Sequence, residues 1–450
     1  MNREKTKNRR KKGFILELIL SCLLLLAGLG FPFIKGMVLE RAVRQSIDEL
    51  NQDYTGEAHG TRIEILAWDK GWKRSTVTWR IQSAALSAAS GIDHLILVDG
   101  VDHGYSSKIV SATDFTKNSW YKKGMERFLD GKNPLTVQTM YTLAGDIRSK
   151  VNIKAFSTIR GTDAIAVKSG SAVVQWQQKE KRLNAQLLWD GFKIDGKLGL
   201  GKVKLTASVA KTDRLIWEGT NDFSIDSAIM THDDHSRSFK NFSARYTISY
   251  NETNTTVSIH AKAGLDLLAS GREDIRNMGV TLELKNLDSR AIERIIESNR
   301  METSDWVTIL SHSKGPDQVV QNWLEGLRQA LTDNWELFLK KGCEVHIKGL
   351  TATLVEGNIS ADMSLGLKKS MTLTGFLPVL MRPSKIADIF LLDSRISIPY
   401  QLVGYKPYLL EPFLDIMPTG LFVGDGPDLV HQAQIRNGKL FLNQQEVVLE

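Results

Sequence analysis

Hydrophobic and polar residues alternate with a period of two through most of this chain, the pattern of strands with one dry and one wet face. An early instance is residues 61–82, TRIEILAWDKGWKRSTVTWRIQ. Ile63 and Ile65 alternate with Arg62 and Glu64, Asp69-Lys70-Gly71 makes a turn, and Val77, Trp79 and Ile81 then alternate with Thr76, Thr78 and Arg80. This predicts a β-hairpin. The alternation returns at residues 203–209, 244–250 and 257–261, and strand-turn-strand continues from about residue 136 to 268. Strands of this one-sided kind build antiparallel sheet whose apolar face needs a cover.

The period changes to that of a helix in three places. Residues 36–51 keep Leu39, Val43, Ile47 and Leu50 at spacings of three and four. Such a helix can lie on a membrane surface, pair with a second copy, or pack on its own body. Residues 287–299 open on Asp288 or Ser289 as an N-cap and place Ile292, Ile295 and Ile296 on one face. Residues 316–341 begin with Pro316 and carry a stripe through Val320, Trp323, Leu324, Leu327, Leu331, Trp335 and Phe338. Lys340 and Lys341 oppose the dipole's negative end, and Gly342 supplies the stop. The stripe reads as a helix laid on the sheet, with lipid or partner binding as the other reading. Strands then resume, with short helical pieces near 383–391 and 406–417 and a closing hairpin turned by Asn437-Gly438.

One stretch has neither period. From residue 14 to 34 the only ionised side chain is Glu17, and about 20 apolar residues in a helix cross a hydrocarbon core of roughly 30 Å. Seven basic side chains and Glu4 precede it. That asymmetry predicts an uncleaved anchor with the N-terminus in the cytoplasm and the body outside. A cleaved signal peptide, with Gly28 and Gly30 before the cut, is the competing reading. Of the net charge of +7, the first twelve residues supply +6 and Glu17 −1, leaving +2 for the body. A nucleic-acid binder needs clustered basic residues on its body, and none is visible, so no nucleic-acid partner is expected. Outside the anchor, with its Cys22, only Cys343 remains, so the body has no internal disulfide.

The expected fold is α+β and β-dominated: an N-terminal transmembrane helix, then an extended, mostly antiparallel sheet with helices packed on one face. In order, the chain divides into a basic tail (1–12), the anchor (13–34), a juxtamembrane helix (35–52), a β-rich periplasmic region (53–286), a helical cover (287–342) and a C-terminal β-rich region with short helices (343–450).

Candidate chemistry is sparse. His232, Asp233, Asp234 and His235 put two imidazoles three residues apart beside carboxylates, a weak metal candidate with no third ligand marked by spacing. A polar turn is the bland reading. His94, Asp99, Asp102 and His103 lie near turns, but no nucleophile is marked beside a base. No phosphate loop or dinucleotide fingerprint occurs, and the Gly-Leu-Gly-Lys at 199–202 reads as a turn. No catalytic residue and no cofactor are assigned. Asp69, Gly71, Trp72 and Ser75, in a hairpin with Trp68 and Trp79, read as a fold-defining turn, with a partner-binding patch as the alternative.

Several short motifs together resemble a family. The anchor is followed by Gly36, Glu40 and Leu50-Asn51; Trp68-Asp69-Lys70-Gly71-Trp72 precedes Ser75; Lys285-Asn286-Leu287-Asp288 leads into a helix; Lys341-Gly342 leads into a strand pair; and Arg436-Asn437-Gly438-Lys439-Leu440 closes the chain. In this order they resemble the bacterial YdgA/YihF-like family of inner-membrane-anchored envelope proteins of unknown function. Lys70 stands where the family more often has Arg, Lys73 where it has an aromatic, and His103-Gly104 only echoes its His-Gly-Pro. The resemblance implies a large periplasmic body, a dimeric state and no assigned activity. The functional expectation is non-enzymatic: envelope structure, assembly or lipid contact, alternatively a dimeric protein-interaction scaffold in the periplasm, and least of all an envelope hydrolase. Expected partners are the bilayer through residues 13–34, a second copy, and lipid or an envelope protein.

Overall fold

The structure, a computed structural model, describes residues 31–45, 47–48, 51, 61–83, 92–105, 109–142, 146–160, 163–232, 235–270, 273–295, 335–372, 375, 385–405 and 420–448. The expected anchor lies outside these residues except for its last four, as do most of the 316–341 stripe and the piece at 406–417. Among the described residues no helix is long and apolar enough to cross a membrane. The fold is β-dominated with few helices, and every strand pairing with a described register is antiparallel. Two compact units divide between Val151 and Asn152.

In the first unit, β1 (Thr61–Asp69), β2 (Arg74–Ser83), β3 (His94–Asp102), β4 (Ile109–Asp114) and β5 (Leu135–Tyr141) pair in chain order. The predicted hairpin forms, with one feature that alternation does not announce. A bulge between Ile65 and Ala67 turns Leu66 outward and shifts the register, so that Trp68 pairs with Val77 while Ile65 pairs with Trp79. Ile63, Ile65 and Trp68 therefore share one face with Val77, Trp79 and Ile81. Helix α1 (31–45) lays Leu39 and Val43 on that face, against Val77, Val101 and Ile109. Of the three readings of the amphipathic stretch, the structure shows packing on its own body. Helix α2 (Ser119–Phe128) links β4 to β5, and β6 (Ile147–Ile153) carries the chain across the boundary.

The second unit opens with β7 (Phe156–Arg160), β8 (Asp163–Val167), β9 (Gly170–Gln177), β10 (Arg182–Trp189), β11 (Phe192–Ile194), β12 (Leu198–Leu200) and β13 (Val203–Lys211). Residues 198–200 are thus a short strand paired with β11 rather than the turn expected at 199–202, because Leu198 and Leu200 fill positions opposite Ile194 and Phe192. Four long strands follow: β14 (Trp217–His232), β15 (His235–Asn251), β16 (Thr256–Ser270) and β17 (Glu273–Asp288). After α3 (289–295) come β18 (Glu344–Leu354), β19 (Gly357–Leu367), α4 (Ile386–Ile389), β20 (Phe390–Pro399), α5 (Tyr400–Tyr405), β21 (Val423–Asp425), β22 (Asp428–Arg436), β23 (Lys439–Leu442) and β24 (Gln445–Val447). The β22–β23 turn has Asn437 at φ 51° and Gly438 at φ 76°, the left-handed pair that Asn-Gly favours.

Asp288 ends β17 and caps α3: its Oδ1 accepts the backbone N–H of Arg290 at 2.9 Å. At the far end of the expected cover helix, only a 3-10 turn (Trp335–Leu337) is described. Beyond it, Leu339 O accepts Met371 N and Gly342 N donates to Leu367 O, so the backbone bonds to other segments instead of continuing a helix. Gly342 has φ 80°, but it lies five residues beyond Leu337, so it is not the helix stop that the sequence led one to expect. Leu339 and Cys343 enter the unit's core with Ile216, Val257, Leu287, Leu367 and Ile389.

Candidate functional site

The metal candidate is the least developed. His232 and His235 form the last cross-strand pair of the β14–β15 hairpin, while Asp233, Asp234 and both imidazoles lie outside what is described. Among the described residues no group of three or more metal-ligating side chains assembles.

The turn motif builds more. Asp69 is exposed at the end of β1, opposite Thr76. At Gly71 a Cβ would stand 2.1 Å from the Arg74 carbonyl oxygen, so only glycine lets the chain fold back there. Ser75 points inward, and its hydroxyl lies 2.9 Å from His103 Nε2. The other ring nitrogen, Nδ1, lies 2.9 Å from the Pro32 carbonyl oxygen. A carbonyl can only accept, so Nδ1 carries the proton and Nε2 accepts from Ser75. A serine beside an oriented imidazole is the geometry of an activated nucleophile. Here it has no access: Ser75 is 2% exposed and His103 0%, with the ring sealed under α1. The pair clamps the helix to the sheet.

The clamp recruits the other residues that carry the family resemblance. Gly36 leaves room for the ring, since a Cβ there would meet His103 Cε1 at 2.8 Å. Glu40 binds Lys70 at 2.7 Å and Arg44 at 3.0 Å. Asn51 accepts from the Ile63 N–H at 3.0 Å and donates to its carbonyl at 2.8 Å. Lys35 is buried and donates to the Gly104 carbonyl at 3.3 Å; burial lowers its pKa, against the pull of the Asp102 carboxylate.

The remaining acid and base candidates do not converge. His94 is exposed at the start of β3, and Asp102 accepts the Gly104 N–H at 3.0 Å. Asp99 sits in mid-strand rather than near a turn. It is buried, accepting from Trp79 Nε1 at 2.7 Å and Thr113 Oγ1 at 2.5 Å, and burial raises its pKa against both donors. Burial, helped by the Asp99 charge, pushes the neighbouring Tyr141 up to about 12. Sequence reasoning missed the Ser75–His103–Pro32 contact. One local signal existed: Gly36 lies on the apolar side of its helix, where a missing side chain marks a close approach.

The second unit carries a feature of a different kind. Directly paired residues share a face of a sheet. One row of such pairs runs Val174–Ala185–Ala207–Asn221–Tyr246–Ala261–Leu282–Ile347–Met363–Ser394–Ala433. It crosses eleven strands, about 48 Å at ~4.8 Å per strand, and is apolar except at Asn221 and Ser394. Parallel to it runs Ala172–Leu187–Leu205–Phe223–Ala244–Ala263–Val280. The opposite face reads Asn184–Ser208–Thr220–Thr247–His260–Glu283–His346–Ser364–Asp393–Gln434. Cross-strand bonds knit that face: Ser208 to Asn184 at 2.8 Å, Thr220 with Thr247 at 3.0 Å, Lys348 to Glu283 at 2.9 Å and Gln434 to Asp393 at 2.8 Å.

Among the described residues the apolar face is unevenly covered. Around Val257 and Leu287, 0% and 3% exposed, α3 and residues 338–343 pack on it. Elsewhere Val174, Tyr246, Met363 and Leu365 are 40–46% exposed.

Comparison with known proteins returned no match among curated proteins and none among solved structures. A protein-family model, described as a bacterial protein of unknown function (DUF945), matches residues 11–406. The chain therefore belongs to that bacterial family of unknown function.

Proposed function

We propose that the chain is a single-span protein of the bacterial inner membrane, of the YdgA/YihF-like kind, with its N-terminus cytoplasmic and its body periplasmic. In this reading the body is non-enzymatic and holds the acyl chains of phospholipid on the apolar face of its second unit. The observation that carries it is the apolar row across β9 to β22, exposed at Val174, Tyr246 and Met363. Burying one such aliphatic side chain is worth about 1.5–3 kcal/mol. At 40–45% exposure Val174, Tyr246 and Met363 each forgo somewhat less than half of that unless something apolar occupies the row. Residues 13–34 support the reading by supplying the membrane at which acyl chains are met, and the basic residues before them favour its orientation. The likeness to lipid-holding β-rich envelope proteins is one of architecture.

The test is photocrosslinking. The full chain is reconstituted in phosphatidylethanolamine and phosphatidylglycerol bilayers containing a phospholipid with a photoreactive acyl chain, and the adducts are mapped by peptide. Adducts on peptides of β15, β16 and β19, at Tyr246, Ala261 or Met363, are expected in addition to those within 13–34. Adducts confined to 13–34 would overturn the lipid-holding role and leave the anchor intact.

A further inference from the structure

The clamp that docks α1 also brings two loop tips to the helix's first turns. Pro32 is held by His103, and Lys35 by Gly104. Tyr105 follows at once, 53% exposed, and Trp72, in the β1–β2 turn, meets it edge-on with ring centroids 6.3 Å apart. Lys73 Nζ stands 4.8 Å from the Trp72 ring centre and 5.1 Å from that of Tyr105. On α1 itself Phe31, Phe33 and Ile34 face outward at 47%, 44% and 58% exposure. They are the last residues of the apolar run.

We infer that Trp72, Lys73 and Tyr105 form a foot that rests in the headgroup layer of the bilayer anchored by residues 13–34. The inference rests on the anchor reading given above and adds a membrane contact made by the folded body. Three arguments favour a lipid surface as the occupant. The foot is tied by two hydrogen bonds to the turns of α1 where the apolar run ends, so it sits at the depth where a span would leave the hydrocarbon. Trp and Tyr combine a large apolar body with a polar tip, which suits the membrane–water boundary, where both are enriched. Lys73, between the two rings, supplies a cation for lipid phosphates.

The fold provides its own reference for a test on the unaltered chain. Trp120, in α2 of the same unit, is 45% exposed and Trp72 46%, so the two are equally open to solvent in the protein alone. The full chain is placed in lipid nanodiscs of phosphatidylethanolamine and phosphatidylglycerol and exposed to a brief pulse of hydroxyl radicals, and oxidation is read residue by residue. Loss of most of the oxidation at Trp72 and Tyr105 relative to Trp120 is the expected result. Equal oxidation of Trp72 and Trp120 in a chain that co-elutes with nanodiscs would overturn the foot and spare the anchor. A chain that elutes free of nanodiscs would overturn both.

Discussion

Replacing Gly36 by alanine sets two effects of opposite sign against each other, and the structure decides which wins. Glycine inside a helix costs roughly 0.5–1 kcal/mol relative to alanine, so propensity alone makes Gly36→Ala stabilising. The added Cβ, however, would lie 2.8 Å from His103 Cε1, 2.9 Å from Nε2 and 3.2 Å from Nδ1. Carbon atoms settle at about 3.5–4.0 Å, so ring or helix must retreat by about 0.7 Å. The ring has nowhere to go: it is fully buried, and hydrogen bonds to Ser75 and Pro32 fix both nitrogens. Overpacking of this kind costs about 1–3 kcal/mol, and strained buried hydrogen bonds add about 1. The net expectation is a loss of about 1–3.5 kcal/mol, localised to the first unit.

Hydrogen exchange of the full chain, followed by mass spectrometry, reads that loss where it occurs. Amides of β2 and β3 should exchange at least about fivefold faster, since about 1.4 kcal/mol is one decade, while those of β15 and β16 stay unchanged. Slower exchange in β2 and β3 would show propensity winning and would refute the close packing of α1 on His103. The double variant sharpens the point. In a His103→Ala background the ring is gone, and Gly36→Ala should change sign to mildly stabilising, a coupling that independent sites do not show.

Two further outcomes follow from the second unit. Burial works against ionisation of Asp288, but hydrogen bonds from Arg290 and Lys340 hold its carboxyl well below the usual carboxylate range. A depressed folded pKa gives stability that is complete above the unfolded value of about 3.9 and lost as pH falls below it. Asp288→Asn should therefore cost about 1–2 kcal/mol at pH 7, discounted because Arg290 and Lys340 are exposed, and should flatten the acid limb of urea denaturation below pH 4; an unchanged acid limb would contradict the assignment. Cys343 is buried, and both burial and the Glu344 carboxylate push its thiol pKa up. It should resist an aromatic disulfide reagent at pH 8 until denaturant opens the core, and rapid labelling of the native chain would count against the packing.

What the sequence shows of this fold follows from the ranges over which physical signals act. Alternation is local, so the β1–β2 hairpin, the long middle strands and the Asn437-Gly438 turn are visible in it. The Asp288 cap is visible for the same reason. The bulge at Leu66 is not, because Ile65-Leu66-Ala67 is apolar throughout and carries no sign of where the register slips. The placement of Asp99 fails similarly: a single aspartate beside Gly100 looks like a turn, and only Trp79 and Thr113 on neighbouring strands make mid-strand burial tolerable. Ser75, His103 and Pro32 meet across sequence separations of 28 and 71 residues, which no periodicity encodes. The motif residues were legible as a set. Their shared task, docking α1 on the hairpin, became visible only when Gly36, Glu40, Asn51 and Ser75 were found along one interface.

The same register that hides in sequence makes the functional reading of the second unit specific. Each strand there alternates, which by itself says only that one side is dry. The pairings add that the dry residues of eleven successive strands line up without a slip that would put a charge among them. The wet residues line up as well, and they satisfy one another across strands. A face meant only for the protein's own permanent cover ought to be sealed like the end around Val257 and Leu287, at 0% and 3% exposure. Tyr246 lies one residue pair away from that end: Ile248, two positions on along β15, pairs with Ile259 and packs into the core. Yet Tyr246 is 45% exposed, as are Met363 and Leu365 at 40% and 46%. The alanines at 185 and 207, and again at 261, lower the row at two places, so that something thin could lie close to the backbone there. Among the described residues, full burial at one end and half-exposed apolar side chains nearby, on one continuous face, are the arrangement that the proposed acyl-chain occupant requires.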